Sequence, residues 1–198
     1  MAELPTTRPS LLIRIRDNRD AEAWREFVDM YAPVVFGFAT KRGLQEADAA
    51  DLTQDVLRAV AGAAGQLDYD PRRGAFRSWL YTIARNKLHD FFAARRRQTP
   101  GSGDSAVQGV LEQLPAPEAH DVALWREEYE QRLFHVAAEK VRGDFECSTW
   151  QAFWRVAVEG KPAADVANSL GLTVGAVYIA KSRVLARLKK QIQELQGE

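Results

Sequence analysis

Arginine and tyrosine side chains recur every four residues in the middle of the chain, at Arg73, Arg77, Tyr81 and Arg85. On a helix this spacing places the four side chains on one face, where they form a polar stripe opposite the apolar one. Guanidinium groups hold phosphates and aromatic rings stack on unpaired bases, a combination typical of binding to single-stranded nucleic acid. The loop before it, residues 68–75, could capture an unstacked base. An ordinary amphipathic helix explains the same pattern, so the stripe alone does not establish nucleic-acid binding.

A second pattern lies near the C-terminal end of the chain. The sequence predicts a short helix over 163–170, a turn at Gly171 and Leu172, and a longer helix capped by Thr173. This helix-turn-helix arrangement is typical of proteins that place the second helix in the major groove of DNA. On the second helix, the outward residues predicted to face the bases are Gly175, Tyr178, Ile179, Ser182 and Arg183. Those suited to phosphates are Lys181, Arg187, Lys189 and Lys190. A helical hairpin of purely structural use is the alternative.

Charge is balanced over the 198 residues but segregated along them. Lys and Arg together number 27, as do Asp and Glu, so the formal net charge is zero. Six acids face one base over 44–70, eight bases face one acid over 72–97, and seven acids face two bases over 98–132. The segment 173–190 has five bases and no acid. Two basic blocks between acidic ones indicate two separate places that meet a polyanion.

Metal and catalytic sites are not expected. The single cysteine, Cys147, excludes an internal disulfide framework and a multi-cysteine metal site. Asp68 and Asp70 could be metal carboxylates, but solvated loop carboxylates explain them better, and the three histidines lack ligand spacing. We therefore expect neither an enzyme nor a cofactor. Without a signal-peptide pattern or a run of 18 apolar residues, the sequence predicts a cytoplasmic protein that does not insert into membranes.

Helical periodicity predicts an all-α fold. Asp20 is expected to cap a first helix, Pro33 to begin a second one, and Gly43 to end it. A third helix is expected over 48–63. A fourth is expected from Phe76 to about residue 97, with the apolar face Phe76, Leu80, Ile83, Ala84, Leu88 and Phe91.

The second half is also predicted to be helical. One helix is marked by Trp125, Tyr129, Leu133, Val136, Ala137 and Val141. Ser148 and Gln151 suggest a capping box for the next helix, with Trp150 and Trp154 in the core. The Pro, Gly and Ser content of 98–118 is typical of a linker. We expect two small helical domains, 1–97 and 119–198, joined by this flexible acidic linker, with the helix-turn-helix in the second.

Three segments together resemble a known family. GAFRSWLYTIARNKLHDFFAARRR resembles the promoter-melting segment of bacterial RNA polymerase sigma factors, and ADAADLTQDVLRAV resembles the segment that binds the polymerase clamp. The C-terminal helix-turn-helix is similar to the family's reader of the −35 element. Their order and the acidic linker resemble the small two-domain members, the extracytoplasmic-function (ECF, group 4) type. The resemblance covers about residues 24–190.

The resemblance implies a role for each matched segment. Binding to the β′ clamp of core RNA polymerase would fall to Asp51, Leu52, Gln54, Asp55 and Arg58. Recognition and melting of the −10 element would fall to Asp70, Arg72, Arg73, Phe76, Arg77, Trp79, Tyr81, Asn86 and Lys87. Contacts with the −35 element would fall to Thr173, Val174, Gly175, Tyr178, Ile179, Ser182, Arg183 and Arg187. The implied partners are core RNA polymerase (β′ clamp and β flap), promoter DNA, and an anti-sigma factor or other regulator.

One departure concerns the recognition helix. Many members carry Arg-Ser where this chain has Tyr178-Ile179. An apolar Ile179 could contact a thymine methyl group, and Arg183 could pair with guanine. The alternative to a sigma factor is a stand-alone helix-turn-helix transcriptional regulator, which would explain only the second half of the chain.

Overall fold

The computed structural model describes residues 9–65, 76–98 and 119–196. These residues form eight α-helices and one short 3₁₀ helix, and none of them lies in a β-strand, which confirms the all-α fold. In chain order the helices are α1 (Pro9–Arg14), α2 (Ala21–Lys41), α3 (Glu46–Ala64), α4 (Phe76–Gln98), α5 (Ala119–Val141), the 3₁₀ helix (Arg142–Asp144), α6 (Cys147–Ala157), α7 (Ala163–Leu170) and α8 (Val174–Gln196).

The chain divides into two compact units, Met1–Arg132 and Leu133–Glu198. The first part of α5 belongs to the first unit and the remainder of α5 to the second, whereas the sequence alone placed all of 119–132 in the second domain. The expected linker, 98–118, lies outside the described residues except for Gln98 at the end of α4. The linker therefore stays a prediction.

Helices α2, α3 and α4 form the core of the first unit. Asp20 caps α2 as expected, because its carboxylate accepts a hydrogen bond from the Ala23 backbone N–H at 2.9 Å. Gly43 follows the end of α2 with φ +92°, a left-handed conformation that only glycine adopts easily. The apolar faces meet in a core that includes Phe27, Val34, Val35, Phe38, Val56, Val60, Leu80, Ala84 and Leu88.

Pro33 does not begin a new helix, and that expectation is wrong. It lies inside α2, which runs without a break from Ala21 to Lys41. The apolar stripe continues across the proline through Tyr31, Val34 and Val35, all of them buried, so packing maintains one helix. Proline has no N–H, and it therefore leaves the carbonyl four residues earlier, that of Asp29, without its helical partner.

The helix-turn-helix is confirmed in the second unit. The cluster Ala152, Val166, Ala167, Val177 and Ala180 joins α6, α7 and α8, and Leu170 and Leu172 pack against it. Gly171 has φ +66° and ψ +31°, the left-handed conformation expected for the turn. The Leu172 N–H bonds to the Ala167 carbonyl at 2.9 Å and closes α7.

Two expectations for α6 are wrong. The helix begins at Cys147 after Glu146, without a side-chain cap, so Ser148 and Gln151 form no capping box. Gln151 instead donates to the Cys147 sulfur at 3.2 Å. Trp150 and Trp154 are half-buried rather than core residues, since their rings stack on each other at the edge of a surface groove.

No single described helix has the length and apolar character needed to cross a membrane. The bent pair α7 and α8 passes that test only by length and composition taken together.

Candidate nucleic-acid interface

The exposed face of α8 carries the residues predicted to contact the −35 element. Tyr178 is 56% exposed and Ile179 is 61% exposed, both large values for apolar or aromatic side chains. Val174, Gly175, Ser182 and Arg183 are also exposed on this helix. Val177, Ala180 and Val184 face the core on the other side. The sequence therefore separated the two faces of α8 correctly, and the outer face combines apolar area with a cation.

Thr173 and Arg187 are held by contacts within the second unit. The Thr173 hydroxyl accepts a hydrogen bond from the Ala176 N–H at 3.1 Å and caps the start of α8. Arg187 donates to the Asp144 carboxylate at 2.8 Å and to the Gln191 side chain at 3.2 Å. To reach a phosphate, Arg187 would have to leave Asp144, so it is less available than Arg183.

Helix α3 presents a polar face that matches most of the predicted clamp-binding residues. Asp51, Gln54 and Arg58 are exposed, and Asp55 pairs with Arg58 at 2.7 Å within the same face. Leu52 is only 4% exposed and packs in the core of the first unit. The structure thus brings four of the five residues together on the surface and places Leu52 beneath them.

The polar stripe of α4 is not exposed, and that expectation is wrong. Arg77 is 1% exposed, and Tyr81 and Arg85 are each 7% exposed. The cause is the first part of α5, which packs over this stripe with Trp125 and Tyr129.

The other −10 residues fall in three groups. Phe76 is buried and its ring contacts Phe27, Tyr31 and Trp79. Trp79, Asn86 and Lys87 are half-buried. Asp70, Arg72 and Arg73 lie outside the described residues, as does the whole loop 68–75.

Aromatic rings form the apolar part of the contact between α5 and the rest of the first unit. The Trp125 ring lies 5.5 Å from the Phe38 ring and 5.7 Å from the Tyr81 ring. The Tyr129 ring stacks on the Tyr31 ring, with 6.2 Å between ring centres. The Arg77 guanidinium lies over the Tyr129 ring, 4.2 Å from its centre. A guanidinium over a ring face is attracted by the negative π surface, more strongly when water is excluded.

Ion pairs border these rings along α2. Arg42 pairs with Asp121 at 3.0 Å, and Lys41 pairs with Glu128 at 2.8 Å and with Glu127 at 3.2 Å. The hydrogen bond that Lys41 donates to the Glu128 carboxylate raises the pKa of Lys41 above its usual value. The two helices run antiparallel, because early residues of this part of α5 meet the end of α2.

Burial changes the titration of the two tyrosines at this contact. It raises the pKa of Tyr129, although the Arg77 cation opposes the shift. It also raises the pKa of Tyr81, with a further contribution from the nearby Asp121 carboxylate. Both phenols therefore stay neutral and protonated well beyond neutral pH.

A groove of about 440 Å³ lies in the second unit between the end of α5 and α6. Its lining includes the stacked Trp150 and Trp154 and the cations Arg142 and Arg155, but no residue of α8. Among the residues that the structure describes, no three His, Cys, Asp or Glu side chains are grouped so that they could hold a metal ion.

The role of 119–132 was missed at the level of sequence. Its signal was present in α2, where Pro33 and Gly37 both disfavour a helix interior. Two such residues within one buried helix indicate that another element approaches its backbone closely.

The comparisons agree with this arrangement of helices. The model of the family Sigma-70 region 2 matches residues 27–98, which comprise most of α2 and all of α3 and α4. The chain is 36% identical over 91 residues to the ECF RNA polymerase sigma factor RpoE of Cereibacter sphaeroides, a match covering 46% of this chain and 49% of that protein. It thus spans about half the length of that relative.

Longer matches extend over both units. The chain is 29% identical over 172 residues to the RNA polymerase sigma factor CnrH of Cupriavidus metallidurans, covering 84% of each protein. It is 29% identical over 177 residues to the ECF RNA polymerase sigma factor SigL of Mycobacterium tuberculosis, covering 89% of this chain and 92% of SigL. A solved structure of CnrH in complex with the cytosolic domain of CnrY covers 91% of this chain and 94% of that chain, with 22% identity and a TM-score of 0.37. Together, the region 2 match and these relatives support an ECF RNA polymerase sigma factor.

Proposed function

We propose that this protein is a transcription initiation factor that binds core RNA polymerase and directs it to specific promoters. The observation that carries the proposal is the union of two parts in one chain. Residues 27–98 match Sigma-70 region 2, and the second unit holds a helix-turn-helix with an exposed α8 face. A stand-alone regulator would need only the second part, and it would leave the match over α2–α4 without a purpose.

The polar face of α3 is our proposed contact with the β′ clamp. It projects Asp51, Gln54, Asp55 and Arg58 into solvent around the buried Leu52. Exposed carboxylates suit a basic partner surface and accelerate association with it. Leu52 supports this face from below by fixing α3 in the core, so it acts on polymerase binding through position rather than contact.

The −35 element is our proposed ligand of the exposed α8 face. In a major groove, Ile179 suits a thymine methyl group, and the Arg183 fork suits the two acceptors of guanine. Thr173 caps the helix and Val174 and Gly175 begin it, so the backbone N–H groups of this first turn can point at a phosphate.

The −10 element is our proposed ligand of α4 and of the loop before it. Trp79, Asn86 and Lys87 are the half-buried residues of α4 from which a single strand could be held. The stripe of Arg77, Tyr81 and Arg85 would join them only after α5 moves away. Strand opening needs stacking partners for displaced bases, because extracting a base costs a few kcal/mol.

Protein partners of the second unit are proposed from its groove and from the relatives. The stacked pair Trp150 and Trp154 provides the aromatic area that protein interfaces favour. We propose that the β flap of core RNA polymerase binds to this groove. The relative CnrH is known in complex with the cytosolic domain of CnrY. We propose that this chain likewise takes a protein regulator of the anti-sigma type.

The test is transcription in vitro from fragmented genomic DNA with core polymerase alone and with added protein. We expect new RNA 5′ ends that share one upstream pair of sequence elements, and with Arg183→Ala a weaker preference at one position of the −35 element. Unchanged 5′ ends with active core enzyme would contradict the proposal and favour a stand-alone regulator.

A further inference from the structure

Residues 119–132, the first part of α5, are called here the cover segment. The cover segment lies over the stripe of α4, which includes Arg77 and Tyr81, two of the residues assigned to −10 DNA. Trp125 contacts Tyr81, and Tyr129 lies under the Arg77 guanidinium. A nucleic-acid strand cannot reach a stripe that is 1–7% exposed, so the segment and the strand exclude each other.

The proline within α2 indicates that this docking is a built feature. Pro33 removes the N–H that would bond to the Asp29 carbonyl. Arg132, the last residue of the cover segment, donates its Nε–H to that same carbonyl at 2.9 Å. The interior of α2 thus carries a destabilising residue, Pro33, and the carbonyl that it frees accepts a hydrogen bond from the cover segment.

The glycine within α2 supports the same conclusion. A Cβ built at Gly37 would overlap the carboxylate of Glu128, which reaches past this position to Lys41. Gly62 in α3 shows the contrast, because a Cβ there meets nothing within 4 Å. Only the absence of a side chain at position 37 lets the Glu128 carboxylate lie against α2.

The contact is nevertheless poorly suited to be permanent. The Arg85 Nε–H and the Trp125 indole N–H are buried without a hydrogen-bond acceptor among the described residues. Buried donors without acceptors oppose docking, since each would bond to water or to a phosphate when released. The Arg85 Nε–H in particular gains an acceptor if the cover segment leaves and a nucleic-acid backbone takes its place.

We propose that the α2–α4 surface is a helix-docking site, that residues 119–132 occupy it in the free protein, and that they must leave before α4 can hold the −10 strand. This rests on the proposed function, because Arg77 and Tyr81 of the stripe are among the α4 residues assigned to −10 DNA. This docking separates the binding of core polymerase from the opening of −10 DNA. The α3 face stays open for core polymerase while the cover segment is docked, and the DNA-opening face becomes available later.

A disulfide across the contact tests the proposal in the full chain. A Cβ at position 37 lies 3.3 Å from Cγ of Glu128, so Gly37→Cys and Glu128→Cys, made with Cys147→Ser, place two thiols within bonding reach. Closure of the disulfide in the protein alone reports docking without any assumption about function. The same protein after reduction is the matched control, because its sequence is identical.

The locked and reduced forms are then compared in two assays, binding to core polymerase and permanganate reactivity of promoter thymines. We expect equal binding to core polymerase and at least about tenfold less opening by the locked form, with recovery on reduction. Equal opening by both forms would overturn the proposal. So would thiols that fail to pair under oxidant in folded protein.

A second pair of variants keeps the test independent of polymerase. Gly37→Leu takes the place of the Glu128 carboxylate, displaces this flexible side chain from Lys41 and should weaken docking of the cover segment, whereas Gly62→Leu enters open space in α3. We expect the first variant alone to bind a labelled mixed-sequence single-stranded oligonucleotide several-fold more tightly than wild type, and the second to match wild type. If wild type fails to bind core polymerase, the proposed function fails, and this comparison still decides the docking inference. Equal affinities of the two variants would overturn it.

Discussion

Arg183 should read a base pair, whereas Arg187 should contribute little to specificity. Arg183 is exposed on the same face of α8 as Tyr178 and Ile179. Arg187, one turn later, is held by Asp144 at 2.8 Å and by Gln191 at 3.2 Å. The perturbation is therefore Arg183→Ala, with Arg187→Ala as its matched control on the same helix.

The expected size follows from the contact that a free guanidinium can make. A bidentate pair between arginine and guanine contributes about 1–3 kcal/mol of discrimination, which is about 5- to 150-fold in affinity at one base pair. A phosphate contact by Arg187 would first require breaking the Asp144 pair, which as a half-exposed ion pair is worth up to about 1 kcal/mol. The net loss for Arg187→Ala should then be small and uniform over sequences.

The assay is anisotropy of −35 duplexes bound by the polymerase holoenzyme, with each base pair substituted in turn. Arg183→Ala should flatten the preference at one position and leave the others unchanged. A different result would refute the base-reading role. If Arg183→Ala weakened every duplex equally and lowered the salt slope by about one, Arg183 would be a phosphate contact.

Three further predictions concern stability and titration. Gly171→Ala should lower the unfolding free energy of the second unit by about 1 kcal/mol, because the φ of +66° at Gly171 disfavours a Cβ. Gly175→Ala should leave that free energy unchanged or raise it. Urea unfolding followed by circular dichroism measures both variants, and equal effects would contradict the left-handed turn at Gly171. The hydrogen bond from Arg14, with that from the Ala23 N–H, lowers the pKa of Asp20, so its stabilisation is present above about pH 4 and is lost as pH falls through the lower folded value. Asp20→Asn should remove that acid-dependent part of the unfolding free energy, and an unchanged acid profile would argue against the cap. Burial raises the pKa of Tyr129, so its stabilisation is present below about pH 10 and is lost above it. Tyr129→Phe should remove one of the late phases of tyrosinate absorbance and leave that of Tyr81, and an unchanged late absorbance would place the Tyr129 phenol in solvent.

Periodicity was enough to predict α3, α4, α7 and α8, because their apolar faces pack on near neighbours in sequence. It predicted α7 at 163–170, the turn at Gly171 and both faces of α8, where each exposed and buried residue follows from local spacing. The resemblance to sigma factors came instead from three segments that match in order, and the relatives support it.

Periodicity failed where a segment distant in sequence determines which side chains are buried. The stripe of Arg77, Tyr81 and Arg85 has the composition of a surface, and only the arrival of α5 buries it. Pro33 was misread for the same reason, since a local rule assigns proline to a first turn whereas Arg132 satisfies the freed carbonyl from about a hundred residues away. Such contacts depend on tertiary packing that a helical period does not encode.

We predict that this protein binds core RNA polymerase through the polar face of α3. The direct measurement is anisotropy of the labelled full chain with core polymerase, in competition with the housekeeping sigma factor. The test variant is Asp51→Arg with Asp55→Arg, and the control is Glu22→Arg with Asp90→Arg, which makes the same charge change on α2 and α4. We predict tight, competable binding by wild type and control and its loss in the test variant. Absence of binding by folded wild type to active core enzyme would contradict the account.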